Sequence, residues 1–444
     1  MALPRRLYVG AAALCLAILS HALSAEAQEA LQVPAIPDYL TLDEALRLFR
    51  TRGVDLLLAD QAIQSATSAA TTADQRKNPT LSVLAGPTFN QNTTPPCSGC
   101  SRISRSYGIS DNGAALDALA GKRGLRVRQA LSILAAARAH RADVERLLVG
   151  QVKTAYVEVA LANQGLLFAR ETQKSLDDTL ELTQRRYPSV ISEAELARVE
   201  TQKLEGDQQV AIALQKLRTN RTNLALLLGA RSRVPDFTVD RSWLDFRVPR
   251  MLTTIDEASF LRDALLRRPD MSAAVHALHG ALRNRELAER QRFPDVTLSM
   301  QVNGTGFGEQ AASPTTLVLG AGANLPIFYQ QQGEIRRAGA QVDALSLSHA
   351  KREALIAADV AGALATFQMT RLLVERMEKE LLPRVATARD ILAVQFRSGK
   401  APLMDYLDAQ RTYIASRIEY YDDLEAYWGS VFAVEQAIGT DVTP

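Results

Sequence analysis

The chain has 444 residues, with 51 lysines and arginines against 49 aspartates and glutamates, a net charge of +2. That balance excludes a strongly basic nucleic-acid binder and an acidic disordered tail. Five histidines and three cysteines are too few for a histidine- or cysteine-rich metal protein. Beyond the N-terminus no apolar run reaches the roughly 18 residues a membrane helix needs, which excludes a polytopic helical membrane protein.

The first element is an export signal. Arg5 and Arg6 precede an apolar run over residues 7–19, and Ala25-Glu26-Ala27 offers a small-residue cleavage site. A signal peptide over residues 1–27 is therefore expected. Removing it leaves 49 basic against 48 acidic residues and only Cys97 and Cys100 as thiols. A nearly cysteine-free exported chain suits an oxidising compartment.

The remainder reads as a tandem duplication. Thr41-Leu42-Asp43-Glu44-Ala45 recurs as Thr254-Ile255-Asp256-Glu257-Ala258. Pro79 before one strand-like run matches Pro294 before another, and Leu228-Gly229 matches Ile438-Gly439. The offset stays between 210 and 215 residues, the mark of an internal repeat. Repeats are expected over 28–229 and 254–440, with a proline-broken linker or equatorial region over 230–253.

Long proline-free gaps rich in alanine, leucine, glutamine, glutamate and arginine predict long helices. The first copy is expected to hold a helix over 42–77, a strand pair, a helix over 122–186, a turn, and a helix over 193–228. The second holds a helix over 256–291 interrupted at Pro269, a strand pair, a helix over 333–397 with a kink at Pro383, a turn, and a helix over 402–438. At 1.5 Å per residue the central helices run roughly 100 Å, so they need neighbours along their whole length. Ser192 with Glu195 forms a capping box after the Tyr187-Pro188-Ser189 break. Ser398-Gly399 ends the second long helix, and Pro402 suits the first turn of the next.

The strand pairs alternate. Val296, Leu298, Met300 and Val302 interleave with Thr297, Ser299, Gln301 and Asn303, and Leu317, Leu319, Ala321 and Ala323 follow in the return run. The first copy offers Leu81, Val83, Ala85 and Phe89, then Ile103, Tyr107 and Ile109. Runs of about 10 residues have the length of a transmembrane strand, although a soluble sheet with one wet face has the same pattern. Four strands are too few to close a barrel with a lumen, so membrane strands here require several chains.

With these residues in hand, the chain resembles the TolC-type outer-membrane efflux factors. The resemblance rests on the duplicated Asp-Glu-Ala start, Arg268-Pro269-Asp270, Phe293-Pro294, Leu325-Pro326-Ile327-Phe328, and the stretch from Phe396 to Arg411 with its Leu407-Asp408-Ala409-Gln410-Arg411. It implies a mainly α fold with a small β part. A homotrimer would pool its strands into a 12-stranded outer-membrane barrel joined to a periplasmic α-helical barrel. It also implies a passive exit duct in the Gram-negative outer membrane, extending into the periplasm and serving a tripartite efflux or type I secretion system. The implied partners are a periplasmic adaptor and an inner-membrane transporter of RND, ABC or MFS type. Asp405 and Asp408 match the family's constriction, three residues apart on one helix face, where a trimer would gather six carboxylates that favour cations. The tips that match the family's adaptor contacts are Tyr187, Pro188 and Ser189, and Phe396, Ser398, Gly399 and Lys400. The chain departs from the family by lacking a glycine in its first tip, by Phe396 in place of a tyrosine and by Ala401 in place of an arginine. The polar ties that close the gate in some relatives are therefore expected to be absent or different.

Cys97 and Cys100, in the expected outer loop, suggest a disulfide, with metal capture by two thiolates the weaker alternative, since structural zinc takes four ligands. His276 and His279 read as a helix-surface pair, and no metal centre is expected. No nucleophile motif, phosphate loop or cofactor fingerprint is present, so neither an enzyme nor a cofactor is expected. The alternative to a channel is a soluble periplasmic coiled-coil scaffold or adaptor that buries its strands in a soluble sheet.

Overall fold

A computed structural model describes residues 36–87, 103–231, 235–305 and 313–443. The signal segment, Phe89, Cys97 and Cys100 lie outside the described residues. In chain order come β1 (Tyr39–Leu40), helices Leu42–Arg52 and Val54–Asp74, β2 (Thr80–Pro87), β3 (Ile103–Ser110) and helices Ala114–Leu119, Lys122–Arg186 and Glu193–Leu227. Then follow β4 (Thr238–Val239), helices Glu257–Arg267 and Pro269–Arg290, β5 (Val296–Thr305), β6 (Ser313–Ala323), and helices Gln332–Arg376, Leu382–Arg397 and Leu403–Ile438. Among the described residues no helix is long and apolar enough to cross a membrane.

The chain divides into two compact units, each drawing segments from both halves of the sequence. Of the described residues, the first comprises 36–57, Glu145–Phe260 and 360–443. Its core is aromatic: Tyr156, Phe237, Phe367, Tyr427, Trp428 and Phe432 are all nearly inaccessible. Each such side chain contributes about 1.5–3 kcal/mol by leaving water. Trp243 meets Trp428 edge-on at 4.8 Å, so part of the expected linker is packed structure. Here β1 and β4 also pair in parallel, Tyr39 with Thr238 and Leu40 with Val239. The Tyr156 hydroxyl ties both, donating to the Leu40 carbonyl at 2.8 Å and accepting from the Asp240 amide at 2.9 Å. Burial pushes that phenol above its ordinary range.

A second network anchors the C-terminus within the same unit. Lys153 and Glu435 are both buried, with Nζ 2.7 Å from Oε2. The other carboxylate oxygen accepts from the Val442 amide at 3.0 Å and from the Thr443 amide at 2.8 Å. A buried carboxylate is tolerated because its lone pairs are occupied.

The second unit, Leu58–Val144 with Leu261–Asp359, holds a four-stranded antiparallel sheet in the order β2-β3-β5-β6. Leu81, Ile109, Met300 and Leu319 share one register row, and Val83, Tyr107, Val302 and Leu317 another. Seven of the eight are exposed, several by more than half, and Val302 is half-buried. Charges cluster beyond the ends of the strands. Lys122 Nζ donates to Asp295 at 2.7 Å and to the Phe293 carbonyl at 2.7 Å, and Lys77 reaches the same carboxylate at 3.1 Å. Asp117, nearly inaccessible, takes a two-pronged contact from Arg126 at 2.8 and 2.6 Å, which holds its carboxyl below the usual range.

The structure departs from the expected elements at two places. The helix expected over 42–77 breaks at Gly53 and ends at Asp74. At Gly53 an added Cβ would meet the Phe49 ring at 2.8 Å, so the buried phenylalanine accepts only glycine beside it. The helix expected over 333–397 is split by a π turn, Met377–Leu381, just ahead of Pro383. Proline cannot donate to the carbonyl four residues back and its ring collides there, so the ladder widens before it. The interruption at Pro269 is as expected, with Arg268 buried in the break. Its guanidinium contacts Asp270 at 3.1 and 2.8 Å and Asp359 at 3.0 Å.

Candidate functional site

Two tight turns of the first unit come together. One follows Lys122–Arg186 and the other follows Leu382–Arg397. Ser192 caps the Glu193–Leu227 helix, its hydroxyl accepting from the Glu195 amide at 3.3 Å while the Glu195 carboxylate accepts from the Ser192 amide at 2.9 Å. That amide bond holds the Glu195 carboxyl below its ordinary range. At the second turn Gly399 has φ +74, a conformation that disfavours a side chain. This lets the Lys400 amide fold back to the Gln395 carbonyl at 2.8 Å.

A shared apolar cluster joins the turns: Ile191 and Val199 from the first, and Phe396, Leu403, Tyr406 and Leu407 from the second. Phe396 stacks on Tyr406 with ring centres 5.4 Å apart and planes within 5°. Arg186 closes the assembly. Its guanidinium lies 5.3 Å from the Phe396 ring centre and donates to the Phe396 carbonyl at 3.1 Å and the Arg397 carbonyl at 2.8 Å. These are terminal carbonyls of the Leu382–Arg397 helix, so a cation sits at the negative end of its dipole.

Leu403, Tyr406, Leu407 and Gln410 are buried, at the spacing of one helix face. Asp405 and Asp408 fall on the opposite, exposed face. Neither side chain takes an ion pair or hydrogen bond among the described residues. Two carboxylates therefore point to solvent near the start of the last helix, whose dipole favours the negative charge of Asp405 in its first turn.

Of the tip residues singled out in the sequence, Tyr187, Pro188, Ser189, Ser398, Gly399 and Lys400 are exposed. Phe396 is only 3% exposed and serves the tip core instead of offering a surface. Arg186 and Tyr406 were not singled out. A basic last turn is visible at Arg185-Arg186, but the sequence gives no sign that Arg186 reaches a different helix's carbonyls. His276 and His279 lie with ring centres 6.4 Å apart, and no group of three or more metal-ligating side chains occurs among the described residues.

The sequence model of the outer membrane efflux protein family matches residues 46–230 and 260–440. The cobalt-zinc-cadmium resistance protein CzcC of Cupriavidus metallidurans is 24% identical over 328 residues, 72% of this chain and 74% of CzcC. The pyoverdine export outer membrane protein OpmQ of Pseudomonas putida is 27% identical over 290 residues, 64% of this chain and 60% of OpmQ. Among solved structures, CusC matches with a TM-score of 0.74 at 18% identity, over 92% of this chain and 96% of that one. The channel OprN matches at 0.73 and 20% identity, over 91% of each chain. The outer membrane protein VceC of Vibrio cholerae matches at 0.70 and 18% identity, over 90% of this chain and 97% of that one.

Proposed function

Because this chain belongs to the outer membrane efflux protein family and resides in the outer membrane, we infer that it is the passive exit duct of a tripartite efflux or type I secretion system. The observation that carries this reading is the four-stranded sheet. Its outer strands β2 and β6 have no further partner among the described residues, and one face is apolar and exposed. Unpaired strand edges cannot stand in hydrocarbon, where each unsatisfied amide costs several kcal/mol. Three copies supply twelve strands, enough to close a barrel, and the same assembly gives the long helices their missing neighbours. The second reading, a soluble scaffold, leaves the apolar face in water and is not favoured.

The tips form the periplasmic gate. In a trimer Asp405 and Asp408 place six carboxylates around one axis and favour cations. The exposed tip residues Tyr187, Pro188, Ser189, Ser398, Gly399 and Lys400 receive a periplasmic adaptor, and an inner-membrane transporter of RND, ABC or MFS type supplies the energy. Arg186 holds the two turns of one protomer together at tips where the family's polar ties are expected to be absent or different. Related proteins are named for metal resistance and for pyoverdine export at similar identity, so their cargo is not carried over. The two halves of the chain derive from a duplication over residues 28–229 and 254–440.

Planar-bilayer recording tests the gate. Asp405→Ala with Asp408→Ala is expected to lower the cation-to-anion permeability ratio. An unchanged ratio removes the gate assignment.

A further inference from the structure

The register of the four-stranded sheet separates two chemistries. Between Thr80 and Ala323 the described strand residues include one charged side chain, Arg105, which shares the odd-numbered face of its strand with Tyr107 and Ile109, the apolar face. The opposite face carries no charge. It is built of hydroxyls, amides and glycines, interrupted only by Leu84 and Val318 on the two edge strands. By sequence, the connecting segments 88–102 and 306–312 add only Arg102 and Glu309.

The uncharged face follows a rule: a hydroxyl stands opposite a glycine. Ser82 pairs with Gly108, Ser104 with Gly86, Thr297 with Gly322 and Ser299 with Gly320. In each pair the hydroxyl donates to the glycine's carbonyl, at 3.3, 3.0, 3.1 and 3.4 Å respectively. In two of them an added Cβ would displace the hydroxyl. A Cβ on Gly108 would meet the Ser82 hydroxyl at 2.7 Å, and one on Gly320 would meet the Ser299 hydroxyl at 2.8 Å. The hydroxyls therefore lie flat on the wall with their protons committed to it. Gln301 likewise turns its amide onto the Ser106 hydroxyl.

We propose that this face is the lumen of the barrel and that it forms a neutral wall which imposes no charge selection on departing cargo. The proposal rests on the channel reading above and deepens it. Fixed charge in a pore is what discriminates ions by sign, and this wall has none. Donors already bonded to backbone carbonyls also give passing solutes little to hold. Selection by charge then belongs to the helix tips, and cargo of either sign leaves through the strands once the gate has admitted it.

Cysteine accessibility from the outer side tests this without opening the gate. In a Cys97→Ser, Cys100→Ser background, Gln301→Cys probes the uncharged face and Val302→Cys the apolar one. Each is treated with trimethylammonium-ethyl and sulfonato-ethyl methanethiosulfonate. Gln301→Cys is expected to react with both, in a rate ratio within about threefold of that for 2-mercaptoethanol, since no fixed charge biases either reagent. Val302→Cys is expected to react with neither. A ratio shifted by more than about tenfold overturns the neutral wall while leaving the channel intact. A reactive Val302→Cys beside a silent Gln301→Cys reverses the faces and overturns the barrel reading itself.

Discussion

Arg186 shows how one side chain can close a turn that the sequence leaves open. It donates to two carbonyls at the end of another helix and covers the Phe396 ring. Charge-assisted bonds at a half-exposed position are worth about 1–2 kcal/mol together after screening. Arg186→Ala is expected to raise the resting conductance of the channel in a bilayer, and Arg186→Lys to restore it only in part, because an ammonium cannot fork onto two carbonyls. Resting conductance equal to wild type in Arg186→Ala contradicts the latch. Glu158 makes a prediction about pH. Burial raises its carboxyl above the ordinary range, and the nearby Glu425 charge adds to this. A raised carboxylate disfavours the folded state once it ionises, and the penalty vanishes below the unfolded glutamate value. Glu158→Gln is therefore expected to raise the unfolding temperature at pH 8 and to leave it unchanged at pH 4. A lower unfolding temperature at pH 8 contradicts this.

At the scale of elements, the long helices were legible because proline and capping residues mark their ends. Lys122–Arg186 runs between the expected bounds, and Glu193–Leu227 starts at its Ser192–Glu195 box. The Gly53 break was not legible, since its cause is a ring packed over the turn and not a local propensity. Nor was the pairing of β1 with β4: two residues per strand carry no alternation, and their partners lie some 200 positions apart. Asp405 and Asp408 are singled out by the Phe396–Arg411 resemblance alone, while their exposure follows from the buried Leu403, Tyr406, Leu407 and Gln410 on the other face. The C-terminal anchor was illegible for the same reason as Gly53, because Lys153 and Glu435 meet only in the folded chain. Lys153→Met removes the buried ammonium bonded to buried Glu435, a change that costs about 3–5 kcal/mol. Amide exchange at Val442 and Thr443 is expected to accelerate in this variant, and protection equal to wild type contradicts the anchoring role.

The whole molecule poses one physical problem, which is where four strands with open edges and an apolar face can rest. Water penalises the face and hydrocarbon penalises the edges. Closure by three copies would resolve both, and everything proposed for the gate and the lumen depends on it. The most direct test is the mass and location of the particle. Membranes are separated by density, the protein is extracted in mild detergent, and its mass is measured by light scattering with the detergent contribution subtracted. The account predicts an outer-membrane particle containing three chains. A monomer that appears in the periplasmic fraction without detergent contradicts it.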